Sequence, residues 1–240
     1  MTGRQYFLIV VLLSALFSCT AEIPVEPRKP KPAVIAKTKY PVLTREQRDV
    51  LGFPAELTSQ LELAAGSEAE PFFLTVVVHA ENMKGERGFE KERLAGFSVH
   101  TTKGDELIDR LRSGLRAQGY LIFKSHRGIY KNLPDIVTVV RGNNSYDILK
   151  IQRTEAPNYR LDGKQIIAWL KARQKDASFV ITGAGPDWLE ARFTKPPKNV
   201  QAFARKVVMF APDVLEHGPQ NVEKLSERMK RTNGFFLVWD

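Results

Sequence analysis

The chain has 240 residues, 36 Lys and Arg against 27 Asp and Glu for a net charge of +9, and a single cysteine. At 43% hydrophobic and 10% aromatic residues it is too apolar for a disordered chain. One cysteine makes neither an internal disulfide nor a cysteine-based zinc site, and His79, His100, His126 and His217 lack ligand spacing, so no metal and no cofactor is expected.

Residues 1–18 carry one early cation, Arg4, and then an apolar run from Tyr6 to Phe17. That run is shorter than the roughly 18–20 residues of a membrane-spanning helix and has the length of a secretory signal. It ends in Leu16-Phe17-Ser18-Cys19, which resembles the lipobox of bacterial lipoproteins, with cleavage between Ser18 and Cys19 and lipidation at Cys19. A signal peptide cleaved elsewhere is the plainer alternative. Thr20 after the cysteine, by resemblance to lipoprotein sorting, implies an outer-membrane protein facing the periplasm, with the lipid on Cys19 as its membrane contact. Residues 19–41 hold prolines 24, 27, 30, 32 and 41 and five Lys or Arg, the composition of a semi-rigid, solvated tether.

Charge is uneven beyond the tether. Residues 43–94 have 6 basic and 10 acidic side chains, and residues 97–240 have 24 basic and 15 acidic. The cations are interleaved with acids along the helical segments, not gathered in a block, and no nucleic-acid motif accompanies them, so no nucleic-acid partner is expected.

Thr44 and Gln47 form a capping-box pattern for a first helix ending at Gly52. Pro54 suits the first position of a second helix reaching Ala65. Phe72–Ala80 reads as a strand, residues 81–95 as a charged loop, and Phe97–Thr101 as a strand. Leu107, Ile108, Leu111 and Leu115 lie at helical spacing over 105–117, with Gly119 as the cap. Strands follow from Tyr120 and over Asp135–Arg141. Gly142-Asn-Asn-Ser145 then predicts a hairpin into a strand over Tyr146–Gln152. A helix capped by Asp162 over 163–174 precedes a strand at 179–182, the turn Gly183–Pro186 and a strand over Asp187–Phe193. Helices near 199–210 and 220–231 and a strand over Phe235–Trp239 complete the chain.

A shift of 59 residues places Gly104 on Gly163, Leu111 on Leu170 and Tyr120-Leu-Ile on Phe179-Val-Ile. It is either an internal repeat or the apolar spacing that any two β-α-β-β units share. The element order predicts an α+β fold, an antiparallel or mixed sheet with helices packed on it. From residue 146 the order β-α-β-β-α-α-β resembles a ferredoxin-like half. The expected organisation is a signal at 1–18, a tether at 19–41, an N-terminal α+β part at 42–145 and a C-terminal part at 146–240.

The C-terminal part carries Tyr146-Asp-Ile-Leu-Lys-Ile, Asn158-Tyr159, Gly183-Ala184, Asp187-Trp188-x-Glu190, Pro212-Asp213-Val214, Gly218 and Phe236-Leu-Val-Trp-Asp240. This set resembles the bacterial domain of unknown function 4253 family over roughly 146–240. The resemblance implies no activity; some members resemble accessory or immunity-type proteins of toxin systems. The family often has Cys where this chain has Ala211, and two tryptophans where it has Val238 and Trp239.

Asp187, Asp213 and Asp240 are the candidate catalytic acids, since carboxylates meeting in a cleft can move a proton or bind a hard cation. Asp187 and Glu190, three apart on a strand, would point to opposite faces. Against this stand plain turn and capping roles for each acid. No nucleophile elbow and no phosphate-binding glycine loop is present in the sequence. Tyr159, Trp188, His217 and Trp239 are the candidate binding surface, because aromatic residues concentrate at contact hot spots, against a core or rim place for the tryptophans and a plain loop place for His217. Two readings follow. The first is a lipid-anchored, non-catalytic binding module for a protein partner in the envelope, of immunity or inhibitor type. The second is an envelope hydrolase or metal-assisted enzyme using the three aspartates.

Overall fold

A computed structural model of the chain describes residues 41–78, 89–128 and 133–240. The signal, Ser18, Cys19, His79 and all of the tether except Pro41 lie outside these residues.

Thr44 accepts from the backbone N–H of Gln47 at 3.2 Å while the Gln47 side chain accepts from Thr44 N–H at 2.9 Å, which starts α1 (Arg45–Leu51). The helix stops where Gly52 turns left-handed at φ 59°. Pro54 stands one residue earlier than expected, as the N-cap of α2 (Ala55–Ala65). β1 (Glu70–Val78) pairs antiparallel with β2 (Phe89–Thr101). Residues 89–95, expected in a loop, are therefore strand. The pairing of Val76 with Lys91 and Thr75 with Glu92 makes a ribbon whose charged residues face solvent, so apolar patterning gave no signal there.

The chain continues through α3 (Gly104–Ala117), β3 (Tyr120–His126) and β4 (Asp135–Arg141). The predicted hairpin after β4 is not made, because Tyr146–Gln152 contains the short helix α4 (Asp147–Ile151). β4 already pairs with β2 on one side and β3 on the other, so it has no free edge for a hairpin partner. Asn144 instead turns the chain, its side chain accepting from Tyr146 N–H at 3.1 Å and its carbonyl from Asp147 N–H at 2.9 Å. Next come α5 (Gly163–Arg173), β5 (Ser178–Ala184), β6 (Trp188–Lys195), α6 (Val200–Phe210), α7 (Val222–Thr232) and β7 (Gly234–Val238). The C-terminal order is α-α-β-β-α-α-β, so the ferredoxin-like order loses its first strand, and the 59-residue shift relates only the helix-strand pieces α3–β3 and α5–β5.

The α+β fold class is as expected: one mixed seven-stranded sheet, β1-β2-β4-β3-β5-β6-β7, with seven α-helices packed on it among the described residues. Its single parallel step joins β3 to β5, with Lys124 opposite Gly183. The described residues form one compact unit.

Alternation along β3 shows how the core divides. Tyr120 and Ile122 enter a cluster with Phe97, Val99, Leu107, Ile108 and Leu61 from β2, α3 and α2. Leu121 and Phe123 point the other way, into a larger cluster with α4 to α7. In the larger cluster Phe203 of α6 lies 5.6 Å from Phe193 and 5.3 Å from Phe235, ring centre to ring centre, in edge-to-face packing. Trp169 stacks on Phe210 at 4.3 Å, and Phe210 meets Trp239 edge-on at 5.7 Å. Helices α1 to α3 thus pack on one face over β2–β4, and α4 to α7 pack on the opposite face, from β3 and β4 across β5–β7. Where the first face continues across β5–β7 it carries Glu190, Arg192 and Phe236, between Asp105 of α3 and Arg228 of α7.

Candidate functional site

That stretch holds a charged cleft of about 270 Å³. Its centre is Lys124, on the same face of β3 as Ile122 and Tyr120 but one step past the apolar core. The side chain is only 6% exposed, and its ammonium meets Asp105 at 3.0 Å, Glu190 at 3.1 Å and Asp135 at 3.5 Å. Each carboxylate comes from a different element. Asp105 is in the first turn of α3, Asp135 opens β4, and Glu190 stands on β6. One ammonium N–H donates to Asp105, and Glu190 and Asp135 add their charge, which compensates a buried lysine. Burial pulls the Lys124 pKa down, but Glu190, Asp105 and Asp135 outweigh it and hold the ammonium above the ordinary lysine range. Burial likewise pushes Asp105 up, and Lys124 and Arg192 reverse this, leaving it below the usual carboxylate range.

Glycines make the assembly possible. A Cβ at Gly104 would press into the Asp135 carboxylate, so the start of α3 reaches that acid only without a side chain. A Cβ at Gly183 would crowd Lys124 at 3.1 Å and the Trp188 ring at 3.2 Å, and one at Gly185 would overlap the Trp188 indole nitrogen. The end of β5 at Gly183 and Ala184, with Gly185 after it, is therefore a seat for Trp188, which folds back over it; the turn expected over Gly183–Pro186 begins only at Gly185.

Arg127 follows β3 and meets Glu190 through Nε at 2.9 Å. Its guanidinium lies 4.2 Å from the ring centre of Phe236 and 5.8 Å from that of Trp188. Arg192, two residues from Glu190 on β6, meets Asp105 at 3.0 Å and Asp109 at 3.9 Å. Arg228 of α7 and the apolar side chains of Leu225 and Met229 close the cleft at the β7 side. Of the residues singled out from the sequence, Glu190 and Trp188 belong to this surface. Lys124, Asp105, Asp135, Arg127 and Arg228 were not predicted. They come from separate elements, and the one legible signal was a lysine at an inward position of an apolar strand.

The other predicted residues gather elsewhere, around the end of β7. Tyr159 donates its hydroxyl to Asp213 Oδ1, and the backbone N–H of Asp240 donates to Asp213 Oδ2 at 2.8 Å. His217 Nε2 lies 2.6 Å from Asp240 Oδ2. Asp213 thus brings Tyr159, Asp240 and His217 into one chain, at half-buried to exposed positions. The hydrogen bond to Asp213 pushes the Tyr159 pKa up to about 12. Asp187 stands apart as an exposed residue before β6, and its side chain does not join this group. Its carbonyl accepts from Trp239 N–H at 2.9 Å. Trp239, expected on a binding surface, is 3% exposed and donates its indole N–H to Phe210 O at 3.2 Å, so it is part of the core. Among the described residues no three His, Cys, Asp or Glu side chains are grouped to hold a metal ion, and no helix is long and apolar enough to cross a membrane.

Residues 136–240 match the domain of unknown function (DUF4253). The match starts in β4, ten residues before the boundary read from the sequence. It contributes Glu190, Arg192, Arg228 and Phe236 to the cleft, while Asp105, Lys124, Arg127 and Asp135 precede it. No curated protein and no solved structure matches the chain.

Proposed function

We propose that this chain, with its DUF4253 domain at 136–240, is an exported envelope protein anchored through lipid on Cys19. Its α+β unit serves as a non-catalytic binding module for a protein partner in the envelope, in the manner of an immunity protein or inhibitor. The lipobox-like Leu16–Cys19 and the Pro- and Lys-rich tether support the anchor. The observation that carries the binding reading is the cleft on the β5–β7 side of the sheet, between α3 and α7. Arg127 lies there against Phe236 and Trp188, and the acids beneath it are already occupied by Lys124. Arginine laid on aromatic rings beside a cleft is contact chemistry, stiff and amphipathic. The candidate acids favour it too. Both Asp213 oxygens are engaged by Tyr159 and Asp240 N–H, and none of Asp187, Asp213 and Asp240 lines the cleft.

A photo-crosslinking residue in place of Phe236, in the full chain in its own envelope, tests this reading. One adduct of constant mass is expected, absent when the same residue replaces the exposed Leu63 of α2. Cys19→Ala should move the chain out of the membrane fraction. Equal labelling at both positions would overturn the module, and unchanged fractionation of Cys19→Ala would overturn the anchor.

A further inference from the structure

The charges in the cleft do not cancel. Its walls carry four cationic side chains, Lys124, Arg127, Arg192 and Arg228, and three carboxylates, Asp105, Asp135 and Glu190. All three acids contact Lys124. Arg192 shares Asp105 and Arg127 shares Glu190, while Asp109, which Arg192 also meets outside the cleft lining, is balanced by Arg112. Among the described residues Arg228 has no ion-pair partner. It is half-buried, and its hydrogen bond is a long one, NH1 to the carbonyl of His217 at 3.3 Å. Burial, and then the nearness of Arg127, pull its pKa below the usual arginine range, and Glu190 offsets this only in part. A half-buried guanidinium beside a second one, with its share of counter-charge missing, is an electrostatic deficit that one anion would fill.

We infer that the cleft is a subsite for a single carboxylate, presented by an acidic side chain or chain terminus of the protein partner, received by Arg127 and Arg228 with its stem against Phe236. This rests on the binding-module reading and specifies its chemistry. The excess of one cation over three acids matches a monoanion. The second charge of a phosphate would stand near Glu190 and Asp105, and Arg231, the further cation near Arg228, lies outside the cleft lining. At about 270 Å³ the cleft is below the usual size of small-molecule pockets and suits one side chain. Phe236, Leu225 and Met229 give that side chain an apolar wall.

Calorimetric titration of the full chain in detergent tests it with three probes: 3-phenylpropionate, its neutral amide and inorganic phosphate. Saturable 1:1 binding is expected for the carboxylate alone, weakening as salt rises. Arg228→Gln should raise its Kd about tenfold or more, and Arg228→Lys should recover only part, since lysine keeps the charge but not the planar fork. Arg205→Gln, on the exposed side of α6, should bind as the parent does. Matching thermal melts of parent and Arg228→Gln would show that the loss is not unfolding. No binding of the carboxylate, preference for phosphate, or an unchanged Kd in a folded Arg228→Gln would each overturn the inference. The crosslink at position 236 separates the two claims. If it persists while the carboxylate does not bind, the module stands and the carboxylate subsite falls.

Discussion

Replacing Lys124 by methionine removes the one cation that three carboxylates share and keeps a side chain of similar length. Asp105, Asp135 and Glu190, now within 3.0–3.5 Å of a site without charge, are left facing one another. Removing one partner of a buried ion pair costs about 3–5 kcal/mol. The Asp105 side chain is 55% exposed and Arg127 and Arg192 still reach two of the acids, so screening places the expected loss near the lower bound, about 3 kcal/mol. For a folded unit of some 200 residues this is a fall in Tm of roughly 6–12 °C. The effect should depend on pH with a definite sign. In the parent, Asp105 titrates below its unfolded value, so its contribution is present above that value and is lost as pH falls through the folded pKa. In Lys124→Met the ammonium that favours ionised Asp105 is gone, so the variant loses less stability than the parent as pH falls. The gap between parent and variant should therefore be largest near pH 7 and shrink toward pH 4. Urea unfolding of both proteins at the two pH values measures this. Adding Glu190→Gln to Lys124→Met should restore part of the loss at pH 7. A gap under about 1 kcal/mol, or one that does not change with pH, would show that the four charges are not coupled as the geometry requires.

Three further outcomes are expected. Gly185→Ala should cost about 1–3 kcal/mol by displacing the Trp188 indole, seen as a shift in tryptophan emission together with a lowered Tm. Phe203→Ala should cost about 3–5 kcal/mol in chemical denaturation, because it empties the point where Phe193 and Phe235 meet α6. Ultraviolet titration should find one tyrosine ionising at about 12, returning to the ordinary tyrosine range in Asp213→Ala. Because that pKa is raised on folding, its stabilisation is complete below the unfolded value near 10 and disappears as pH rises toward 12.

The helices and most strands of the sheet were legible because their signals are local. Thr44–Gln47 and Asp162 cap helices through bonds made within one turn. Leu107, Ile108 and Leu115 mark the buried side of α3, and Tyr120–Phe123 has the uninterrupted apolar run of a strand covered on both faces. The amino-acid sequence by itself determined these elements, the α+β class, the resemblance at the C-terminal half and the lipobox-like pattern at Cys19. Tertiary structure alone decided three things. It made Tyr146–Gln152 helical, since β2 and β3 occupy both edges of β4 and leave no strand to pair with. It buried Trp239 under Phe210 although the sequence could not tell a core tryptophan from an exposed one. It also assembled the cleft, because Asp105, Lys124, Asp135, Glu190 and Arg228 are spread over more than 120 residues and meet only when β3 lies parallel to β5. Capping and alternation act between neighbours in the chain, whereas the balance of charge around Lys124 depends on which strands lie side by side.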